Sequence, residues 1–412
     1  MATFAYTIKD AAGVLKKGTS DGENEAVVVR RLQEQGMSIV KIRATKAAKA
    51  KSAGGGFGGV KLTDLSIFCR QFSTMVDAGV SLVRCLTVLG EQTANPKLKR
   101  IIADIEQEVQ SGQTLSKAMA KYPGVFSSLF LGLVRAGEVG GALEESLQRL
   151  SSFLEKDLQL RRKVKGAMTY PTIVLIVALT IVIGLVTFIV PQFLTLFVDL
   201  GMKKSEMPAT TAALMTFSHF LTSKWWICIL VVVSFVFAFK LFSRTRVGRR
   251  VVDRIKLKAP VFGGLNHKVC LARFSRTLAT LLSSGVPILS ALETVAGTVA
   301  NEIIGDAILE ARARIREGDR IGDPLQKSKM FPPMVVQMIS IGEESGSLDG
   351  MLTKVADFYE AEVDAALESL TAAIEPLMIV VLGGCVGFIV ISMFMPLLSI
   401  ITNLSGGGGT GN

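Results

Sequence analysis

Three long apolar segments interrupt an otherwise ordinary mixture of polar and apolar positions. Pro171 to Val198 contains 28 residues without an Asp, Glu, Lys, Arg or His, and Pro376 to Asn412 contains no charged residue. Trp225 to Phe239 is a shorter apolar run of 15 residues with a lysine at each end. About 20 apolar residues in a helix cross the roughly 30 Å hydrocarbon core of a bilayer. The pattern therefore predicts three transmembrane helices, at 170–198, 225–242 and 375–402.

The distribution of positive charge predicts how these helices are oriented. Five Lys or Arg residues lie in 156–165 and eight lie in 240–258, against three in 199–224. Because Lys and Arg are enriched on the cytoplasmic side, we expect 199–224 to be a periplasmic segment and both flanking regions to be cytoplasmic. No signal peptide is expected, because charged residues interrupt the first positions, and the N-terminus is therefore expected in the cytoplasm. The direction of the third helix is inferred only from the two crossings that precede it.

The chain also contains an internal repeat. Gly79 in DAGVSL lies 206 residues before Gly285 in SSGVPI, and the segment GEVGGAL at Gly137 lies 205 residues before GEESGSL at Gly342. Matching segments that keep almost the same offset along the chain indicate a tandem duplication. Apolar residues recur at helical spacing in both copies, and about six short helices are expected in each. The predicted fold class is mainly α and integral to the membrane, with two homologous cytoplasmic helical bundles, at 62–169 and 271–374.

Paired positions in the two copies supply the candidate site residues. Gly79 and Gly285 suit the left-handed conformation that ends a helix and opens a hairpin. Glu138 and Glu343 each follow a glycine, and two interpretations remain open: a carboxylate favoured by the dipole at a helix N-terminus, or a docking contact for a partner. The candidate hairpin or partner-contact residues are Gly79, Glu138, Gly141, Gly285, Glu343 and Gly346.

The remaining segments differ from the repeats. Residues 1–43 show strand-like alternation, a helical pattern at 23–35 and a final short strand at 38–43, which predicts a small αβ module. Flexible or connecting segments are expected at 44–61 (a basic, Gly-rich linker), 243–270 (a cytoplasmic connector) and 403–412 (a disordered tail).

No residue is assigned to catalysis, to a cofactor or to a metal. The glycine run at 54–59 is not followed by the Lys-Ser or Lys-Thr of a phosphate-binding loop, and neither His219 nor His267 has triad or metal-site spacing. The series Glu360, Glu362, Asp364 and Glu368 lacks the Glu-x-x-His pairing of di-metal bundles, and a solvated helix face is favoured instead. The five cysteines share no ligand spacing and are expected to be small buried residues.

Charge gives a further indication of partners. The formal net charge is +11, and much of the excess lies beside the predicted membrane helices. Attraction to anionic membrane lipids explains this excess, and no nucleic acid partner is expected. Ionisable residues are confined to the ends of the predicted spans, which favours anchoring or assembly over transport, although a small-solute transporter or channel remains the alternative.

Three strings closely resemble the duplicated domain of the type II secretion system protein F family: LARFSRTLATLLSSGVPILSALETV (271–295), FCRQFSTMVDAGVSLVRCLTVL (68–89) and GEESGSLDGML (342–352). The resemblance covers about residues 65–402, and residues 1–43 look like the cytoplasmic lead-in of that family. Ser81 departs from the proline that the resemblance leads one to expect in the first turn.

The resemblance implies a non-enzymatic platform protein of the bacterial inner membrane in a type IV pilus or type II secretion machine. It implies that the cytoplasmic bundles engage a hexameric assembly ATPase and that the membrane helices contact pilin or pseudopilin subunits. Other inner-membrane assembly proteins and further copies of the chain are the remaining expected partners. Pilus assembly, secretion and DNA uptake all remain open as the system served.

Overall fold

The computed structural model describes residues 2–9, 15–22, 38–45, 59–199, 208–260 and 262–406. A small N-terminal unit contains a three-stranded antiparallel sheet with β1 in the middle. Its strands are β1 (Ala2–Lys9), β2 (Leu15–Gly22) and β3 (Ser38–Thr45). β2 was not predicted, because its sequence LKKGTSDG lacks alternating apolar residues. The helix expected at 23–35 lies outside the described residues.

The larger unit is helical and begins with repeat 1. Six helices form this repeat: α1 (Leu62–Asp77), α2 (Leu82–Gln92), α3 (Pro96–Gln110), α4 (Leu115–Ala120), α5 (Ser128–Gly140) and α6 (Leu143–Ala167). The predicted stripe on α3 is buried at Leu98, Ile101, Ile102 and Ile105. Its burial holds the hairpin of α2 and α3 against the rest of the repeat.

In the described residues between repeat 1 and repeat 2 there are five α-helices. They are α7 (Thr169–Gly184), α8 (Val190–Asp199), α9 (Ala209–Ser223), α10 (Trp225–Phe242) and α11 (Arg246–Lys258), with a π-helical segment at Leu185–Ile189 between α7 and α8. Two of them fall in stretches that were predicted only as connections, α9 in 199–224 and α11 in 243–270.

Repeat 2 has the same six-helix plan. Its helices are α12 (Phe262–Ser283), α13 (Ile288–Thr298), α14 (Glu302–Arg316), α15 (Gly322–Lys327), α16 (Pro333–Ser345) and α17 (Leu348–Gly406). α12 begins nine residues before the predicted start of the bundle at 271. α17 is one helix of 59 residues that contains Pro376 and Pro396. Residues 403–406, which were assigned to a disordered tail, are therefore helical.

Among the described residues, three helical stretches are long and apolar enough to cross a membrane: Leu143–Phe197, Trp225–Phe242 and Leu348–Leu398. None of the α10 side chains is buried by the rest of the described chain, and α10 exposes Trp225, Trp226 and most of its aliphatic side chains. Exposed apolar surface of this extent is typical of a helix that lies in lipid. The predicted fold class, with three membrane helices and two helical bundles, is confirmed.

α9 is fastened to the membrane helices by hydroxyl groups. Ser218 Oγ donates to the carbonyl oxygen of Val186 at 2.7 Å, within the π-helical segment, and Thr211 Oγ1 donates to the carbonyl oxygen of Ser392 at 2.5 Å. Leu214 packs between them against Val186 and Ile389. A π-helical turn displaces carbonyl groups from regular pairing, so the serine satisfies an acceptor that lies away from water.

Candidate functional site: the junction between the two repeats

Three helices bring the two repeats together just before the chain enters the membrane. Leu160 of α6, Leu265 of α12 and Val363 of α17 are buried against one another, and Leu367 and Leu370 extend the cluster along α17. Because α6 leads into α7 and α17 continues into its own membrane segment, this apolar cluster fixes the bundle-side ends of the two membrane segments relative to each other. We call this contact of α6, α12 and α17 the repeat junction.

Ion pairs between the repeats border the apolar cluster. Arg273 of α12 lies 3.3 Å from Asp157 of α6, and their side chains are only 17% and 12% exposed. Asp157 also pairs with Arg161 at 2.8 Å, and Lys163 of α6 pairs with Asp364 of α17 at 2.6 Å. Burial lowers the pKa of Arg273, and the neighbouring Asp157 partly offsets that effect. The Arg273–Asp157 pair favours one relative placement of the repeats, since removing Asp157 leaves the Arg273 charge away from water.

A second group of charges surrounds Arg276 on α12. Its guanidinium donates to Glu360 at 2.8 Å and to Asp357 at 2.5 Å, while Lys156 of α6 lies 3.7 Å from both carboxylates. Desolvation acts to raise the pKa of Asp357, but the hydrogen bond and charge of Arg276 outweigh it and the pKa is lowered. Burial likewise opposes the charge of Arg276, and its two acidic partners still raise its pKa.

Three of the four members of the acidic series on α17, which was interpreted as a solvated helix face, form ion pairs while staying partly exposed to solvent. Glu360 pairs with Arg276, Glu362 with Lys268 at 2.7 Å, and Asp364 with Lys163. The pair of Arg276 and Glu360 has an equivalent in the sequence of repeat 1. Arg70 and Glu155 of repeat 1 are also ion-paired, and they occupy the positions of Arg276 and Glu360 in repeat 2. Equivalent opposite charges in both copies were the signal that the sequence analysis missed.

Gly79 and Gly285 occupy matching turns. Both have φ of +77°, in the left-handed region that glycine adopts without a Cβ clash. After each glycine the next backbone N–H returns to the helix, from Val80 to the Met75 carbonyl and from Val286 to the Leu281 carbonyl, both at 3.0 Å. This is the Schellman pattern of helix termination. Each glycine thus ends the first helix of its repeat and opens the hairpin to the second.

Glu138 and Glu343 lie near the C-terminal ends of α5 and α16, not at the N-termini of those helices. Each carboxylate instead reaches the start of the preceding short helix. Glu343 accepts the Ile321 N–H at 2.9 Å, beside α15. Glu138 accepts the Ser116 N–H at 3.2 Å, in the first turn of α4, and also the Ser116 hydroxyl. The carboxylates are therefore helix N-terminal groups, as one of the two interpretations had it, but for a neighbouring helix.

Gly141 and Gly346 end α5 and α16 in the left-handed conformation, with φ of +68° and +71°. They reverse the chain into α6 and α17, the helices that lead to the membrane. The reversal is tight. A Cβ at Gly342 would lie 2.9 Å from the Leu348 Cα, and a Cβ at Gly137 would lie 2.9 Å from the Leu143 Cα. Glycine at these equivalent positions allows the last two helices of each bundle to cross closely.

The described part of the chain contains no group of three or more His, Cys, Asp or Glu residues that could hold a metal ion. His267 hydrogen-bonds the Met330 carbonyl at 2.7 Å. Cys69, Cys85 and Cys270 are buried, and burial raises the pKa of Cys270 to about 11, so its thiol is unreactive at neutral pH. Cys385 is exposed on α17 and Cys228 is partly exposed on α10, so these two cysteines differ from the expectation of buried residues.

Comparison with known proteins identifies the family. The profile described as "Type II secretion system (T2SS), protein F" matches residues 68–191 and 274–396, and the profile of its N-terminal domain matches residues 1–43. The duplication and the N-terminal module inferred from the sequence therefore coincide with recognised domains.

Relatives match over nearly the whole chain. The Type IV pilus assembly protein PilC of Thermus thermophilus is 45% identical over 98% of this chain and 100% of its own length. The protein of the same name from Myxococcus xanthus is 43% identical, over 97% of this chain and 95% of its own length. Type II secretion system protein F of Vibrio cholerae is 34% identical, over 97% of this chain and 98% of its own length. The chain belongs to the type II secretion system protein F family, whose duplicated helical domain it carries twice.

Proposed function

We propose that this protein is a non-enzymatic platform of the bacterial inner membrane that transmits motion from a cytoplasmic hexameric ATPase to pilin or pseudopilin subunits. The N-terminus and both bundles lie in the cytoplasm in this proposal, and α9 lies on the periplasmic side. The similarity to Type IV pilus assembly proteins and to type II secretion proteins supports the class of machine.

The observation that carries the proposal is the stiffness of the path from bundle to membrane. α17 runs without a break from Leu348 to Gly406, and α6 is separated from α7 by Met168 alone. Flexible linkers would absorb a displacement, whereas a continuous helix transmits it over its whole length. The repeat junction holds the two helices together, so a force applied to either bundle moves both membrane segments.

The test weakens α17 between the repeat junction and the membrane. Thr371, Ala372 and Ala373 are replaced by glycine, which costs about 1 kcal/mol of helix stability at each position. The matched control, Thr371→Ala/Ala372→Ser/Ala373→Ser, keeps the helix. Both variants are expressed in a strain lacking the chromosomal copy, and filament assembly is compared with co-purification of the ATPase.

We expect the glycine variant to accumulate and retain the ATPase but to assemble no filaments, while the control assembles them. Normal assembly by the glycine variant would refute coupling through α17. A transporter makes a different prediction: the purified protein alone would carry solute into liposomes, whereas a platform produces no flux.

A further inference from the structure

A stripe of aliphatic side chains lies exposed along α11. Val247, Val251 and Ile255 are 70%, 43% and 61% exposed, and their spacing of four residues places them on one side of the helix. α11 lies within the segment 243–270, which was predicted as a connector without secondary structure. Three consecutive aliphatic contacts left open on one short helix indicate that something outside the described chain covers them.

Basic side chains accompany this stripe at a regular interval. Arg250, Arg254 and Lys258 each lie three residues after one of the aliphatic residues, and all three are exposed. Arg250 pairs with Asp306 at 3.0 Å while remaining 65% exposed. A helix that presents aliphatic residues beside Lys and Arg, with its axis along a surface, has the composition of helices that lie in the headgroup region of a membrane.

The opposite side of α11 is fastened to repeat 2. Asp253 is buried, and its carboxylate accepts the Glu302 N–H at 3.1 Å and the Lys256 ammonium at 2.8 Å. The Asp253 carbonyl oxygen also accepts from Asn301 at 3.3 Å. These contacts bind α11 to the start of α14. They fix the rotation of α11 about its axis, so Val247, Val251 and Ile255 face away from the bundle, while Arg250 at the edge of the stripe also reaches Asp306 of α14.

The position of α11 along the chain places it at the membrane surface. Only three residues, 243–245, separate it from the end of α10, and three residues span at most about 11 Å. Thr245 Oγ1 accepts the Gly248 N–H at 3.0 Å and so starts α11 immediately. The first turn of α11 is therefore held close to the point where α10 leaves the hydrocarbon.

We propose that α11 lies in the lipid interface and binds anionic phospholipid headgroups, with Val247, Val251 and Ile255 inserted among the acyl chains. α11 then seats repeat 2 on the bilayer, because its other side is bonded to α14. The occupant is lipid, since the open face combines aliphatic and cationic groups and adjoins a membrane helix. This inference needs only the membrane location of α10 and does not depend on the coupling proposal.

The experiment measures the depth of a spin label on the full-length protein in liposomes. Cys228→Ser/Cys385→Ser removes the accessible thiols, and Val251→Cys then carries the label. The same label at Leu309, an exposed residue of α14, reports on water. Collision with oxygen and with a water-soluble nickel complex is compared in phosphatidylcholine with and without phosphatidylglycerol.

We expect the label at Val251 to collide with oxygen and not with the nickel complex, at a depth of about 5–10 Å in the anionic liposomes. Equal access of the nickel complex at Val251 and Leu309 would overturn the proposal. Protection from both reagents, with spectral broadening that disappears on dilution by unlabelled protein, would also overturn it and would indicate a second copy of the chain.

A charge-matched pair of variants tests the lipid headgroups. Arg254→Gln/Lys258→Gln removes two charges from the stripe, and Arg316→Gln/Lys327→Gln removes two exposed charges elsewhere on repeat 2. We expect nickel access at Val251 to rise toward the Leu309 value in the first variant only, and only where phosphatidylglycerol is present. Identical depth with and without the anionic lipid in the unmodified stripe would refute the role of the basic residues.

Discussion

Removing Asp157 is the most direct perturbation of the repeat junction. Asp157 lies 3.3 Å from Arg273, and both side chains are more than four-fifths buried. At an effective dielectric constant of 20, two charges at this distance attract by about 5 kcal/mol, and desolvation of both groups offsets a large part of that attraction. We expect a net coupling of about 2 kcal/mol between the two residues.

Asp157→Ala and Arg273→Ala are predicted to differ in their effects. Asp157→Ala leaves Arg273 buried without its charge partner and lowers the free energy of unfolding by about 3 kcal/mol. Arg273→Ala leaves Asp157 paired with Arg161 at 2.8 Å and costs about 1–2 kcal/mol. The double variant should lose less than the sum of these values, because it leaves neither charge unpaired.

The assay is thermal unfolding of the full-length protein in detergent micelles, followed by circular dichroism. A loss of about 3 kcal/mol corresponds to a decrease in Tm of roughly 6–12 °C for a cooperative unit of about 150–250 residues, which is the size of the two bundles together. Arg161→Ala is the control, since Arg161 is exposed to solvent and its pair with Asp157 should contribute less than about 1 kcal/mol. Strictly additive losses in the double variant, or a loss for Asp157→Ala no larger than the control, would refute the reasoning.

Three further predictions concern other described contacts. Gly342→Ala should lower stability by about 1–3 kcal/mol, because its Cβ would lie 2.9 Å from the Leu348 Cα. Glu343→Gln should lower it by about 1 kcal/mol, because the charge-assisted bond to the Ile321 N–H is weakened. The Asp357 carboxylate has a lowered pKa, so its stabilising contribution is present above about pH 4 and is lost as the pH falls further. Unfolding in detergent, at a series of pH values for Asp357→Asn, checks all three.

Each of these predictions has a matched comparison. Gly297 lies exposed on α13 with open space around it, so Gly297→Ala should not destabilise the protein, and an equal loss in both glycine variants would contradict the steric argument. Glu344→Gln removes a neighbouring exposed carboxylate and should have little effect. The free energy of unfolding of Asp357→Asn should approach that of the wild type as the pH falls toward 3. A difference that stays constant with pH would contradict a stabilising contribution from the ionised Asp357 carboxylate.

Local patterns in the sequence were sufficient to predict most of the fold. Glycine at 79 and 285 predicts helix ends because no other residue adopts the required φ so readily. The uncharged run from Pro171 predicts a membrane helix because it is apolar over a length that crosses the hydrocarbon core of a bilayer. In both cases the cause lies within a few consecutive residues.

Contacts between distant residues could not be read in the same way. Asp364 and Lys163 are 201 residues apart, and nothing in either local segment indicates that they meet. In the sequence, Asp253 is one acidic residue within a basic stretch, although in the structure its side chain is buried against the start of α14. The pairing of Glu138 and Glu343 with a preceding helix was missed for the same reason, since the direction of each side chain follows from how α5 and α16 pack.

The duplication has kept both routes into the membrane at equal length. Gly137 and Gly342, Pro171 and Pro376, and Pro191 and Pro396 are all 205 residues apart. One inserted residue turns a helix by 100° and advances it by 1.5 Å. An insertion in α6 alone would therefore rotate Asp157 away from Arg273, or it would rotate the membrane segment that follows α6 relative to that of α17. Viable length changes in descendants of this gene should come in whole turns, or in both copies at once.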